Sequence, residues 1–362
     1  MADALIVGGG LAGSAAAILL ARAGRSVHLI ERETAPHHTA CGEFLSIEAC
    51  EHLAALGLDP VDLGASRIDT IEVAANDRLA TAPLPFTALG LSRFRLDEAL
   101  IERAASAGAR VERGVRVTRI EHGAARTASG EFAGANLLLA TGKHRVPGTD
   151  PIRPPDGDPY VGFKMHYRLS PDASARLDGR IRLILFDGGY AGVQMIEDGR
   201  TNLSLVIRKR ELARRGGTWE AVRRMLAALP HCGPLLSDAE PLLSRPVTVA
   251  NLPYGNSARR SADEAFFRLG DQAGMTASLT GDGMAGALRS AFIAAQCITE
   301  GADARDYRAR HQRAIGHQIR RAMALQDLQE SAILRSAAMA TLRIWPGLLT
   351  HAALATRLGR WA

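Results

Sequence analysis

The 362-residue chain is 47% hydrophobic and 23% charged with few aromatics, a composition that excludes fibrous, low-complexity and disordered classes and leaves room for two packed domains. Its formal charge is +6 and its isoelectric point about 9.5, carried almost wholly by Arg, with Lys only at Lys143, Lys164 and Lys209. The arginines are dispersed among Asp and Glu and form no stripe or tail, so no nucleic-acid partner is expected.

The N-terminus enters a buried-strand pattern at once, which leaves no room for a signal peptide. Ala4 to Val7 reads as a strand, Ser14 to Ala23 as a helix stopped by Gly24, and Ser26 to Ile30 as a second strand: a βαβ unit of a parallel sheet. Cys41, Cys50, Cys232 and Cys297 make no Cys-x-x-Cys pair or Cys/His cluster, so no metal site is expected and the compartment reads as reducing and cytoplasmic. Leu96 to Ala107 predicts a helix ending at Gly108, Arg110 to Ile120 alternates as strands do, and Leu137 to Ala140 is a short buried strand.

From Tyr160 to about Ile207 the alternation predicts an antiparallel sheet with Gly188-Gly189 as a turn. A helix near Trp219 to Leu229, a Pro-rich crossing at Pro246 to Pro253 and a strand at Phe266 to Leu269 follow, and from Met284 the chain is mostly helical. The last stretch, Ala332 to Ala362, is apolar but interrupted by Arg335, Arg343, Arg357 and Arg360, so it does not span a bilayer. Beside Trp345 and Trp361 it suits packing on the protein body first, and also a membrane surface or a cover for a lipophilic substrate.

Two segments carry chemistry. Gly8-Gly9-Gly10-Leu11-Ala12-Gly13 stands between strand and helix, with Glu31 ending the next strand, the spacing of a dinucleotide turn. Gly8 permits the tight turn, Gly10 the approach of a pyrophosphate, Gly13 close helix packing, and the helix N-terminus faces the phosphates. Glu31 can accept both hydroxyls of an adenosine ribose and would repel a 2′-phosphate, which favours FAD or NAD over NADP. The second segment is Gly270-Asp271-Gln272-Ala273-Gly274 with Thr280-Gly281-Asp282-Gly283-Met284 at the mouth of a long helix.

Together the two resemble the halves of the FAD site in the flavoprotein superfamily that holds p-hydroxybenzoate hydroxylase, geranylgeranyl reductases and flavin-dependent halogenases, over Ala4 to about Ile298. The resemblance implies that Asp271 binds the ribityl chain and that Gly281, Asp282, Gly283 and Met284 present a helix N-terminus to the flavin ring, although Asp282 alone also suits an ordinary N-cap. It places Arg93 near the FAD phosphates or ribityl chain and the Val117 backbone near adenine, and the cofactor contacts also take in Leu11, Ala12, Arg32, Thr141 and Gly142. Cys41-Gly42-Glu43 resembles the Cys-Gly loop of geranylgeranyl reductases, which approaches the flavin. Gly42 allows that approach, Cys41 is a candidate for substrate or proton chemistry or else a small buried hydrophobe, and Glu43 is an acid/base candidate if buried. Lys164 and His166 alternate with Met165 and share one strand face, open to substrate contact.

The departures lean toward the reductase branch. Thr141 stands where hydroxylases carry Asp after the Leu137 to Ala140 strand, and Gly274-Met275-Thr276 replaces their alanine, histidine and proline run. No second dinucleotide turn is present, so NAD(P)H would bind transiently, with Lys143, His144 and Arg145 as phosphate contacts or as a solvated basic loop.

The expected fold is α/β: a Rossmann-like FAD-binding domain at 1–75, 93–155 and 265–300, an inserted antiparallel β-sheet substrate domain at 76–92 and 156–264, and a helical region at 301–362. The expected function is an FAD-dependent oxidoreductase, a reductase that receives hydride at flavin N5 and acts on a hydrophobic small molecule. The alternatives are an FAD monooxygenase using NAD(P)H and oxygen, and a non-catalytic flavin electron relay.

Overall fold

The structure is a computed structural model that describes residues 1–149, 157–255 and 266–359. Arg360, Trp361 and the expected domain junctions at 155 and 264 lie outside the described residues. The chain opens on β1 (Ala2–Val7), α1 (Leu11–Arg22) and β2 (Val27–Glu31). Then come β3 (Phe44–Leu45), α2 (Ile47–Ala55), the long hairpin β4 (Ser66–Ala75) and β5 (Arg78–Gly90), and α3 (Arg93–Ser106). β6 (Arg110–Arg113), β7 (Val117–Glu121), β8 (Ala124–Thr127) and β9 (Gly130–Leu139) follow.

The middle of the chain runs β10 (Tyr160–Arg168), α4 (Pro171–Leu177), β11 (Gly179–Phe186), β12 (Gly189–Met195), β13 (Thr201–Arg208) and the short helices α5 (Lys209–Arg214), α6 (Trp219–Ala228) and α7 (Gly233–Leu236). β14 (Glu240–Pro241), β15 (Val247–Leu252) and β16 (Phe267–Arg268) lead to the helices α8 (Gly283–Glu300), α9 (Ala304–Glu330), α10 (Ala332–Ile344) and α11 (Gly347–Ala355).

In the first sheet β6, β2, β1, β9 and β16 lie side by side and parallel. Chain order reverses at β1, so ligands belong in the crevice outside the carboxyl ends of these strands. The glycine turn, Thr141 and Gly270 follow such ends, and Glu31 is the last residue of β2. α1 is rich in Ala and Leu, and its small side chains sink between the sheet and α8, where Ala15, Ala16, Ala17, Leu288 and Ala291 are sealed from water. Ser92 caps α3 by accepting from the Arg95 amide, and Asp303 caps α9 by accepting from Arg305 and Asp306.

The second sheet runs β14, β10, β13, β12, β11, β4, β5, β3, with β15 also on β10. It is antiparallel except for one parallel pair, β4 with β11. Residues 66–75, expected in the nucleotide domain, therefore belong to the second sheet, because β4 pairs with β5 and β11 and, among the described residues, with no strand of the first. Pro246 to Pro253 is a strand and not a bare crossing: β15 fits between the two prolines, where neither removes a ladder donor.

Candidate active site

Gly8 has φ +107 and a Cβ there would sit 2.5 Å from the Ala140 carbonyl oxygen, while a Cβ on Gly13 would overlap the Gly8 carbonyl. Only glycine lets β1, the turn and α1 close this tightly. The Leu11, Ala12 and Gly13 amides open α1, whose first internal bond is Ser14 to the Gly10 carbonyl, so they point outward as donors for an anion. Glu31 accepts from the Gly9 amide at 2.6 Å and the Glu33 amide at 2.9 Å, which fixes its carboxylate at the end of β2 beside the turn. Arg93 forms a two-pronged pair with Asp97, at 2.6 and 2.8 Å, and approaches Gly10. Val117, Arg32, Thr141 and Gly142 border the same crevice.

At the other end Asp271 pairs with Lys143 at 3.1 Å, and Arg32 bonds His144 at 2.9 Å. Two members of the basic loop are thus committed to the rim of this crevice. Gly281 is left-handed at φ +73, and a Cβ there would meet the Phe44 ring at 2.7 Å. Asp282, fully buried, starts α8 without capping it. Arg357 from the C-terminal region stands 2.7 Å from its carboxylate but out of hydrogen-bonding alignment. Burial raises the Asp282 carboxyl to about 7 despite the opposing pull of Arg357.

Between these ends runs the loop of Cys41, Gly42 and Glu43. Glu43 adopts φ +58, is 0% exposed and ion-pairs with Lys164, which is also 0% exposed. His166 Nε2 lies 2.7 Å from the other Glu43 oxygen, and the Arg93 amide donates to Glu43 at 2.9 Å. Burial alone would raise the Glu43 carboxyl, but Lys164 and then His166 outweigh it and hold it below the usual carboxylate range.

The sheet register explains the grip on this loop. His166, Asn202 and Gln194 form one row across β10, β13 and β12. Asn202 donates to the Gly42 carbonyl at 2.7 Å and Gln194 to the Glu43 carbonyl at 2.8 Å. Lys164 and His166 do share a face, but they lie under the loop and do not border the cavity, so the expected substrate contact is replaced by an internal ion cluster.

One cavity of about 1260 Å³ joins everything that borders open space here, more than a single drug-sized ligand fills. One half is the crevice of the glycine turn, Asp271 and α8. The other is an apolar chamber between the second sheet and the C-terminal helices, with Ile71, Val73, Leu183, Leu279, Met339 and Leu349 on its walls. Cys41, Gly42 and His38 stand between the halves of the lining. His38 stacks on Phe94 and meets His166 edge-on, 5.0 Å between ring centroids, and burial followed by Lys164 lowers it to about 4, so it is neutral at pH 7. Sequence reasoning missed His38, Gln194, Asn202 and Arg357; the adjacent His37-His38 pair was the one local signal, since the others work only through long-range pairing.

The residues fit FAD: a crevice that a Cβ would fill, outward amides for the pyrophosphate, a fixed acid for the ribose, and a second helix start bearing a buried carboxylate. A profile for the FAD binding domain matches residues 1–132. Menaquinone reductase of Mycolicibacterium smegmatis is 27% identical over 330 aligned positions, taking in 83% of this chain and 77% of that protein. Digeranylgeranylglycerophospholipid reductase 2 of Methanopyrus kandleri is 26% identical, taking in 82% of this chain and 77% of that protein. Among solved structures the flavin-dependent brominase Bmp2 superposes with a TM-score of 0.79 at 17% identity, over 98% of this chain and 93% of its own. With the FAD crevice, the matching N-terminal FAD binding domain and the similarity to the two reductases together, this chain is an FAD-dependent oxidoreductase.

Proposed function

We propose that this oxidoreductase is a reductase that takes electrons from NAD(P)H and passes them to a hydrophobic small molecule held in the apolar chamber. The observation that carries the reading is the chamber itself, which continues from the flavin crevice and is walled by aliphatic side chains of β4, β11, α10 and α11. Burial of apolar surface there favours a lipophilic substrate by roughly 25 cal/mol per Å². Menaquinone and a digeranylgeranylglycerophospholipid, the molecules for which two relatives are named, are both lipophilic.

FAD, when bound, supplies hydride transfer. The α1 amides would hold its pyrophosphate, Glu31 its ribose and the α8 start its ring. The Cys41-Gly42 backbone would form the wall between ring and chamber, and Glu43, with no exposed surface and held by Lys164 and His166, positions that wall. The Cys41 thiol is the group on the cavity border placed to give substrate a proton, and His38, neutral beside it, is placed to hydrogen-bond substrate or accept a proton.

The test is product mass after turnover of a lipophilic acceptor with NADH or NADPH in air. A gain of two hydrogens supports the reading; a gain of one oxygen atom makes the enzyme a monooxygenase instead.

A further inference from the structure

Exposed large apolar side chains gather at the C-terminus: Ile333 is 81% exposed, Ile344 69% and Trp345 65%, with Leu334, Leu348 and Leu354 also exposed. On α10 the positions Ile333, Ala337, Ala340 and Ile344 recur at helical spacing and all face outward, while Arg335, Met339 and Leu342 face the body. α10 thus carries large apolar side chains on both faces, with Arg335 turned inward and Arg343 outward. α11, Gly347–Ala355, has no charged residue at all. Large apolar side chains on a helix are normally turned to a covering layer, and the outer faces of these two helices leave theirs exposed.

Three cations border the patch. Arg78 donates to the Ser336 carbonyl beside α10, Arg321 donates to the Ala355 carbonyl at the end of α11, and Arg343 lies exposed on α10 itself with no ion pair among the described residues. Residues 331–362 hold four arginines and no acid, four of the six net positive charges of the chain. Leu328 and Leu348 are both exposed and on the cavity lining, so the patch surrounds an opening of the apolar chamber. Among the described residues no helix is long and apolar enough to cross a membrane.

We infer that the outer faces of α10 and α11 dock on an anionic phospholipid bilayer, with the chamber mouth against the lipid. Apolar side chains enter the headgroup boundary while the flanking arginines meet lipid phosphates. A second copy of the chain is a poorer occupant, because a two-fold contact would set this acid-free, cationic face against itself.

The experiment is co-sedimentation of the FAD-loaded full chain with vesicles of phosphatidylcholine alone or mixed with phosphatidylglycerol. Binding to the mixed vesicles, weakened by salt, is expected. The Ile333→Ser, Ile344→Ser, Trp345→Ser triple variant alters only exposed side chains off the cavity lining and should keep its FAD and thermal stability while vesicle binding falls by roughly tenfold or more. Failure to sediment with the mixed vesicles, or equal binding by the triple variant, would overturn the inference. So would a wild-type dimer that the triple variant dissociates and that binds no vesicles. None of these readouts depends on turnover, so they stand or fall apart from the reductase reading.

Discussion

His166 Nε2 lies 2.7 Å from Glu43 Oε2 with both side chains shut away from water, and Lys164 completes the cluster on the other oxygen. Removing one member leaves a buried charge without its partner, which costs about 3 to 5 kcal/mol. Glu43→Gln and Lys164→Met are each expected to lower urea stability by that order, and the double variant to recover part of the loss. Because Glu43 is depressed on folding, its contribution is present above the ordinary carboxylate value of 4.5 and is lost as pH falls through the lower folded value. Urea titrations of wild type and Glu43→Gln should therefore converge on acidification; parallel curves would remove the ion cluster from the account.

Asp282 has the opposite sign. Its carboxyl rises from 3.8 to about 7, so the native state keeps a proton that the unfolded chain releases, and stability falls as pH climbs through that window. The slope is at most about 1.4 kcal/mol per pH unit for one fully shifted group. Asp282→Asn should flatten the decline in apoprotein melting temperature between acid and neutral pH, and an unchanged slope would place the titrating group elsewhere.

The opening βαβ unit, Glu31 and the Gly270-Asp271 turn were legible because each is a local pattern: a buried run, a glycine turn, an acid or a helix start. The Glu43 cluster was not, since Lys164 stands 121 positions away and its ammonium would ordinarily sit in solvent. The row His166, Asn202, Gln194 exists only through strand register. The same holds for β4, whose parallel partner β11 follows more than a hundred residues later, and for Arg357, which the fold of α9 to α11 brings back onto Asp282. Nothing in the spacing of Pro246 and Pro253 marked the strand between them, because proline is a barrier inside a ladder but not at its borders.

The chamber predicts a separable defect. Leu183 on β11 lines it and is none of the residues proposed to hold FAD. Leu183→Trp should raise KM for a long lipophilic acceptor by about tenfold or more through lost volume, with flavin content unchanged. Kinetics with a short and a long acceptor measure it, and equal effects on both would argue against the chamber as the substrate site.

At the turn, Gly8→Ala forces a Cβ against the Ala140 carbonyl oxygen at a φ of +107. Strain of this kind costs of order 1 to 3 kcal/mol, enough to lower FAD affinity by roughly tenfold or more. Flavin absorbance per protein after reconstitution reads this directly, and full occupancy in the variant would dissociate the turn from the cofactor.

The proposed step is the delivery of reducing equivalents to a lipophilic acceptor in the chamber. Its most direct test is rapid anaerobic mixing of the FAD-loaded, reduced enzyme with such an acceptor. The flavin spectrum is expected to return to its oxidised form without oxygen, in step with reduced product. A flavin that stays reduced until oxygen is admitted, and then yields an oxygenated product, would contradict it.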